Sequence, residues 1–155
     1  MRAVIQRVKN AYVDVPDAEP KGRVGEIGAG VLVLLAVTNE DSEEDVEWMV
    51  SKISQMRIFE DEFGKMNLSV SDIGADALVI SQFTLYGNMR KGNRPSFNRS
   101  ARPETAEPLY LRFCERLGGA ISGKLARGHF GAMMNVGLVN DGPVTIILDS
   151  KDRGF

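Results

Sequence analysis

The chain has 155 residues, of which 43% are hydrophobic and 26% are charged, and its formal net charge is −2. This length predicts a single domain over residues 1–155 with room for a sizeable core, and the charge excludes a protein that is basic throughout. The single cysteine and single histidine exclude an internal disulfide and a zinc site built from several Cys and His ligands of one chain.

The N-terminal residues and the longest apolar run bear on the cellular compartment. Met1 leads directly into residues 5–8 without the long apolar stretch of a secretion signal. The apolar run from Val31 to Val37 is too short to span a membrane. We therefore expect a cytoplasmic protein with no membrane partner, and the lone Cys114 is compatible with a reducing compartment.

Hydrophobic patterning predicts the elements of the first half of the chain. Strands are expected at residues 3–8 and 12–15 with a tight break at Lys9-Asn10, followed by a polar loop at 16–25 and a buried strand at 31–37. Ser42 and Asp45 have the spacing of a capping box, and apolar residues at helical spacing follow them. A first helix is therefore expected, ending before a short strand at 57–59.

The second half is predicted to repeat this alternation. A buried strand is expected at residues 77–82 and a loop at 87–95. Pro103 suits the first turn of a second helix closed by Gly118-Gly119, and Pro108 is expected to kink that helix or to lie in its first turn. Residues 132–139 and 144–149 read as two strands joined by a turn at 140–143, because Asn, Asp, Gly and Pro are turn formers. The prediction is an α/β domain with more strand than helix.

Ser81, Gln82, Phe83 and Thr84 lie where a predicted buried strand ends. Backbone N–H groups run out of ladder partners at such an end, so they can face a substrate, and the side chains add hydroxyl and amide groups. The alternative is an ordinary polar strand terminus with capping hydrogen bonds. The residues alone leave both interpretations open.

A basic stretch follows this strand end. There is no acidic residue between Asp76 and Glu104, and the interval carries Arg90, Lys91, Arg94, Arg99 and Arg102. A local basic stretch in a mildly acidic protein suggests a phosphate-bearing partner. The alternative is a solvated loop whose charges are balanced by acids elsewhere in the fold.

Three further residues are candidates for a site. His129 is a candidate base or a surface histidine. Met133 and Met134 are adjacent, so in a strand they would face opposite ways and only one could line a given pocket.

Several motifs together resemble one known family. They are IQRV at Ile5–Val8, FGKMN at Phe63–Asn67, SQFTL at Ser81–Leu85, RPSF at Arg94–Phe97 and VNDGPVT at Val139–Thr145, supported by the Gly-rich segment Gly25–Leu35. On these motifs the chain is identified as a member of the D-aminoacyl-tRNA deacylases, once called D-tyrosyl-tRNA deacylases. The resemblance covers essentially the whole chain.

The resemblance implies both a fold and a reaction. The implied fold is an α/β, three-layer β/β/α single domain with barrel-like sheets and two main helices, working as a homodimer with active sites at the interface. The implied reaction is hydrolysis of the ester between a D-amino acid, or glycine, and the 3′-terminal adenosine of tRNA, which removes wrongly charged tRNA. D-aminoacyl-tRNA and glycyl-tRNA are thus the expected partners, and no metal or other cofactor is expected.

The resemblance also implies roles for particular residues. Gly142 and Pro143, joined by a cis peptide bond, would reach into the partner subunit's pocket and select the D enantiomer. Residues 81–84 would border the scissile ester, Arg7 would brace the Gly-Pro loop, and Met134 would help to wall the pocket. Two departures from the family pattern, Tyr12 and Ala36, leave the packing of the first hairpin open, as does a long loop at 16–22.

With tRNA as the implied substrate, Arg90, Lys91 and Arg94 become candidates for binding its phosphates. Backbone N–H groups near Gln82 and Phe83 would stabilise the oxyanion. The 2′-hydroxyl of the terminal ribose lies next to the ester, and a well-aligned intramolecular group can have an effective molarity of ~10⁵ M or more. The alternatives are a covalent hydrolase with Thr84 as nucleophile and a non-catalytic RNA-binding module on the same fold.

Overall fold

The computed structural model describes residues 1–17 and 22–154. Within these residues the elements, in chain order, are β1 (Arg2–Val15), β2 (Gly22–Ile27), β3 (Gly30–Ala36), α1 (Glu43–Gln55), β4 (Phe59–Glu60), β5 (Met66–Leu68), β6 (Asp76–Ser81), a 3₁₀ helix (Phe83–Tyr86), α2 (Pro103–Ala120), β7 (Leu125–Arg127) and β8 (Asn135–Asp149). None of the helices in this part of the chain is long and apolar enough to cross a lipid bilayer.

Six strands form one mixed sheet around the long strand β1. Along one edge β1 pairs antiparallel with β3 through residues 2–8 and with β2 through residues 11–15, and β8 pairs along its other edge. Strand β6 runs parallel to β3, and β7 runs parallel to β6. The two outer strands, β2 and β7, lie close together. Lys124 Nζ, next to β7, donates to the Glu26 carbonyl in β2 at 2.8 Å. The sheet is therefore nearly closed into a barrel.

Two apolar clusters occupy the two faces of this sheet. The barrel interior is filled by Val8, Ala11, Val13, Ile27, Leu32, Leu78, Ile80 and Ala126. Helices α1 and α2 pack on the opposite face, where Met49, Ile53, Phe113 and Leu117 meet Val33 and Leu35. Successive residues of β3 alternate between the two clusters, as the pleat of a strand requires. This layering confirms the predicted α/β fold class, with barrel-like sheets and two main helices.

The predicted helix starts are confirmed. Ser42 N–H donates to the Asp45 carboxylate at 2.9 Å in a complete capping box, and α1 begins at Glu43. Helix α2 begins at Pro103. A proline in this position costs no hydrogen bond, because the N–H groups of a first turn have no partner within the helix. The helix continues through Pro108 and past Gly118-Gly119 to Ala120, so the expected closure at the glycine pair is wrong.

The predicted break in the first strand is also wrong. Lys9 and Asn10 remain within β1, and both are exposed. The register with β8 shifts at this point, and β1 changes its other neighbour from β3 to β2. A bulge absorbs the bend of the barrel here, whereas local patterning indicated that the strand stopped.

Other differences concern short segments. The predicted loop at 16–25 contains strand β2 from Gly22 onward, and its residues 18–21 lie outside the described part of the chain. Strand β7 has only three residues and was not predicted.

Tyr12, a departure from the family pattern, lies opposite Gly137, where a Cβ would collide with the tyrosine ring. The Arg23 guanidinium lies 3.8 Å from the centroid of the same ring. Gly137 thus makes room for the larger side chain.

Candidate active site

A cavity of about 630 Å³ lies where strand β6 ends. Its walls come from the end of β3, the 3₁₀ helix, the start of α2 and the segment between β7 and β8. Ser81, Gln82, Phe83 and Thr84 all line it, together with apolar side chains such as Ile80. The polar residues predicted at the strand end therefore meet at one opening in an otherwise apolar pocket.

The backbone leaves its strand pairing at this opening. Gln82 N–H donates to the Leu35 carbonyl at 2.8 Å, which continues the pairing of β6 with β3 by one residue. The chain then turns into the 3₁₀ helix, and Phe83 and Thr84 donate their N–H groups to no acceptor within residues 1–17 and 22–154. The N–H groups left without a partner at this opening are therefore those of Phe83 and Thr84, whereas the Gln82 N–H that the sequence suggested is already engaged.

Thr84 is not paired with a base. Its hydroxyl oxygen accepts a hydrogen bond from the Gln82 side-chain amide, which cannot take up a proton. No Asp, Glu, His or Cys side chain is among the described residues that line the cavity. His129, the only histidine, is exposed and does not line it. The cavity therefore offers backbone donors, hydroxyls and an amide, without a side chain placed to activate Thr84 or a water molecule.

Contacts from distant parts of the chain fix the 3₁₀ helix. Arg2 Nη1 donates to the Leu85 carbonyl at 3.0 Å, and the same guanidinium donates to Asp149 at 2.8 Å. Burial alone would raise the pKa of Asp149, but hydrogen bonds from the Lys151 N–H and Arg2 outweigh burial and lower it. Sequence reasoning missed Arg2 as a brace, because 147 residues separate it from Asp149.

Met133 and Met134 both line the cavity. They precede β8, so the strand alternation that would have sent them to opposite faces does not apply, and that prediction is wrong. Met134 is half-buried and packs on the cluster in the barrel interior, whereas Met133 is 77% exposed. Met134 thus forms part of the inner wall and Met133 part of the rim.

The predicted turn at residues 140–143 is instead a bulge within the single strand β8. Gln6 of β1 pairs with Thr145 and Val8 pairs with Asn140, so the one residue Arg7 lies opposite residues 141–144. These residues loop out from the sheet without ending the strand. The Gly142–Pro143 peptide bond is cis, and Gly142 has a φ of +129°.

Two side chains hold this loop. Buried Arg7 donates from Nε to the Asp141 carbonyl at 3.1 Å and forms a salt bridge with the Asp141 carboxylate at 3.3 Å. The Asn140 side chain accepts from the Val144 N–H at 2.9 Å and donates to the Val144 carbonyl at 3.2 Å. Gly142 and Pro143 themselves are exposed, and the described lining of the cavity contains neither.

The basic residues lie on an exposed loop next to the cavity. Arg90, Lys91 and Arg94 are exposed, and no carboxylate of the described residues lies within 4.0 Å of their charged groups. Phe97, just after the loop, packs edge-on against Phe83 with ring centroids 5.1 Å apart. The loop is therefore anchored at the rim of the cavity.

Within the described residues, no group of three or more His, Cys, Asp or Glu side chains is placed to hold a metal ion.

A family model and full-length relatives of known sequence agree on one family. The model of the family described as D-Tyr-tRNA(Tyr) deacylase matches residues 4–149. A D-aminoacyl-tRNA deacylase of Fusobacterium nucleatum is 56% identical over 156 aligned residues, covering 100% of this chain and 99% of that protein. A solved structure described as a c-Myc DNA unwinding element binding protein is 42% identical, covers 96% of this chain and 98% of that one, and superposes with a TM-score of 0.88.

A second solved structure, described as a probable eukaryotic D-amino acid tRNA deacylase, shares 20% identity and a TM-score of 0.80, covering 95% of this chain and 97% of that one. At this identity it supports the fold alone. The family model and the full-length relative carry the assignment, since both extend over nearly the whole chain. The chain therefore belongs to the D-Tyr-tRNA(Tyr) deacylase family, whose members are hydrolases that act on the ester bond of aminoacyl-tRNA.

Proposed function

We propose that this protein hydrolyses the ester that joins a D-amino acid, or glycine, to the 3′-terminal adenosine of tRNA in the cytoplasm. The observation that carries the proposal is the cavity at the end of β6, where the unpaired N–H groups of Phe83 and Thr84 lie beside Ser81 and Gln82. The apolar remainder of this 630 Å³ cavity suits a planar base and its attached groups. The activity removes wrongly charged tRNA and is therefore a proofreading step.

In the proposed reaction, water attacks the ester carbonyl carbon. The carbonyl oxygen becomes an oxyanion that accepts hydrogen bonds from the Phe83 and Thr84 N–H groups. The bond between the carbonyl carbon and the ribose 3′-oxygen then breaks. This oxygen takes up the proton that the attacking water has lost, so the products are the free amino acid and the tRNA 3′-hydroxyl. The neighbouring 2′-hydroxyl of the substrate positions or activates the water, a role supported by the lack of a titratable side chain in the described lining.

Selection between enantiomers is assigned to Gly142 and Pro143 of a partner subunit in a homodimer. The pair lies outside the cavity of its own chain, is exposed, and is held by Arg7 and Asn140. A firmly held loop can exclude the L enantiomer by steric collision, whereas apolar affinity cannot distinguish two molecules with the same groups. Met134 contributes to the wall against which the substrate rests.

A covalent mechanism through Thr84 is the first alternative. It requires a base next to the hydroxyl, and the observed neighbour is the Gln82 amide. The second alternative is a non-catalytic nucleic-acid-binding module. It is favoured by the solved structure that is 42% identical, which is described as a DNA-binding protein, and by the exposed loop carrying Arg90, Lys91 and Arg94.

Loss of the ester from D-tyrosyl-tRNA and from L-tyrosyl-tRNA tests the proposal directly. We expect rapid loss of the D ester and little loss of the L ester, with glycyl-tRNA also hydrolysed. A tRNA ending in 2′-deoxyadenosine is expected to be a poor substrate, because it lacks the assisting hydroxyl. Binding of tRNA without hydrolysis of any ester would favour the binding module.

A further inference from the structure

Gly128 lies behind the wall of the cavity, directly after strand β7. It is buried, and its N–H donates to the Val79 carbonyl at 3.2 Å, which holds it against β6. A Cβ built on Gly128 would lie 2.5 Å from Met134 Sδ and 3.2 Å from Ile80 Cδ1. Met134 and Ile80 both line the cavity, whereas Gly128 is not part of its described lining.

The Met134 side chain therefore occupies the space that a Cβ of residue 128 would need. A separation of 2.5 Å between carbon and sulfur lies inside their van der Waals contact, so a methyl group at position 128 forces one of the two apart. The Gly128 backbone is fixed by its hydrogen bond to β6, and the unbranched thioether is the adaptable partner. Ile80 is packed in the barrel interior, which leaves the cavity as the open direction for Met134.

We infer that Gly128 is a positioning residue that sets the depth of the substrate cavity by letting the Met134 side chain fold back against the barrel. The inference rests on the proposed function, since it takes this cavity as the site that receives the aminoacylated 3′ end. Gly128 acts on the fit of the substrate and not on the ester chemistry, because the oxyanion donors Phe83 and Thr84 belong to a separate segment.

The substitution Gly128→Ala tests this role. We expect KM for D-tyrosyl-tRNA to rise roughly tenfold or more, the range that one misplaced methylene produces in an apolar pocket, while kcat changes less than about threefold. The matched control is Gly119→Ala in α2, where nothing lies within 4 Å of the added Cβ. The control is expected to leave both constants unchanged.

Removal of the Met134 side chain separates this role from a general loss of folding. In the parent chain Met134→Ala removes part of the wall and is expected to raise KM. In the Gly128→Ala background the same change is expected to lower KM, because it removes the displaced group. If Gly128→Ala alone does not fold, the comparison is between Met134→Ala and the double variant, which should have equal KM values.

The outcomes are distinct. A parent protein that hydrolyses D-tyrosyl-tRNA, together with an unchanged KM for Gly128→Ala, overturns only the role of Gly128. A double variant with a KM above those of both single variants also overturns it, since Met134 would then not be the displaced group. A parent protein that neither binds nor hydrolyses the substrate overturns the proposed function and this inference together.

Discussion

At the scale of single residues, Thr84 decides between two mechanisms. Its hydroxyl borders the cavity and accepts a hydrogen bond from Gln82, without a base beside it. We expect Thr84→Ala to retain kcat within about tenfold, equivalent to ~1.4 kcal/mol of transition-state stabilisation, measured by single-turnover hydrolysis of D-tyrosyl-tRNA. An inactive Thr84→Ala enzyme, or an acyl group trapped on the parent Thr84, would instead support the covalent mechanism.

Gly142 has a conformation that side chains rarely adopt. Its φ is +129°, and a Cβ would lie 2.8 Å from Val144 Cγ2 and 3.0 Å from Arg7 Nη2. Gly142→Ala is therefore expected to displace the loop and to change the ratio of D- to L-tyrosyl-tRNA hydrolysis at least tenfold. The free energy of unfolding should fall by roughly 1–2 kcal/mol, because Ala is strained at positive φ.

The control for Gly142→Ala is Gly28→Ala, at a turn where no atom lies within 4 Å of an added Cβ. Stereoselectivity should be unchanged in the control. If Gly142→Ala hydrolyses both esters at the parent rates, the loop does not select the enantiomer.

At the scale of elements, the cap of helix α1 depends on the charge of Asp45. Burial would raise the pKa of this carboxyl, but hydrogen bonds from Lys151, Ser150 and Ser42 outweigh burial and lower the pKa well below its usual range. A folded-state pKa below the unfolded-state pKa means that the ionised group stabilises the fold at higher pH. That contribution is lost as the pH falls through the folded-state value.

Asp45→Asn is expected to reduce the free energy of unfolding at pH 7 by about 1–3 kcal/mol, since charge-assisted hydrogen bonds are lost. The difference in the free energy of unfolding between the parent protein and Asp45→Asn should narrow as the pH falls below ~3.9, the ordinary aspartate pKa. Urea denaturation at several pH values measures both effects. Glu47→Gln is the control, because its salt bridge with Arg116 is half exposed and worth ~1 kcal/mol or less. A difference that stays constant down to pH 2.5 would contradict the assignment.

At the scale of the whole molecule, the exposed loop next to the cavity is expected to bind tRNA phosphates. Replacing Arg90, Lys91 and Arg94 by Gln should weaken tRNA binding and lower the slope of log K against log salt by roughly 2–3, since each phosphate contact contributes about 0.7–0.9. Hydrolysis of a minimal D-aminoacyl-adenosine should hardly change. Binding measured between 50 and 200 mM salt gives the slope.

The matched control removes three positive charges from the helical side of the protein. Arg112, Arg116 and Arg153 each form a salt bridge with a glutamate there. Their replacement by Gln changes the net charge equally and should leave the salt slope unchanged. If the salt slopes of tRNA binding are equal in the parent and the loop variant, the loop does not contact tRNA phosphates and is a solvated surface.

A shared active site makes a further prediction about the assembly. If Gly142 of one subunit completes the cavity of the other, mixing Gly142→Ala with an inactive cavity variant, Ala132→Trp, should restore part of the parent D-to-L selectivity. The restored site combines the intact cavity of the first chain with the intact loop of the second. If the mixture has no more D-to-L selectivity than Gly142→Ala alone after subunit exchange, the loop does not complete the cavity of the other subunit.

Several features of this protein follow from the sequence alone, because they depend on neighbouring residues. The capping box of Ser42 and Asp45 and the position of Pro103 determine where the two helices begin. The apolar run in β3 identifies a buried strand, and the end of β6 at Ser81 places the polar residues at an opening. The family motifs, taken together, indicated the fold and the reaction class.

Only the tertiary structure decided how residues 140–143 are used. Turn formers serve equally in a hairpin and in a bulge, and the choice depends on whether the flanking segments pair with each other or with a third strand. Here both flanking segments pair with the long strand β1, so the loop stays within one strand. Arg7 reaches Asp141 across 134 residues and Arg2 reaches Asp149 across 147. Both contacts depend on the pairing of β8 with β1, which joins residues far apart in the chain and is not encoded by local sequence patterns.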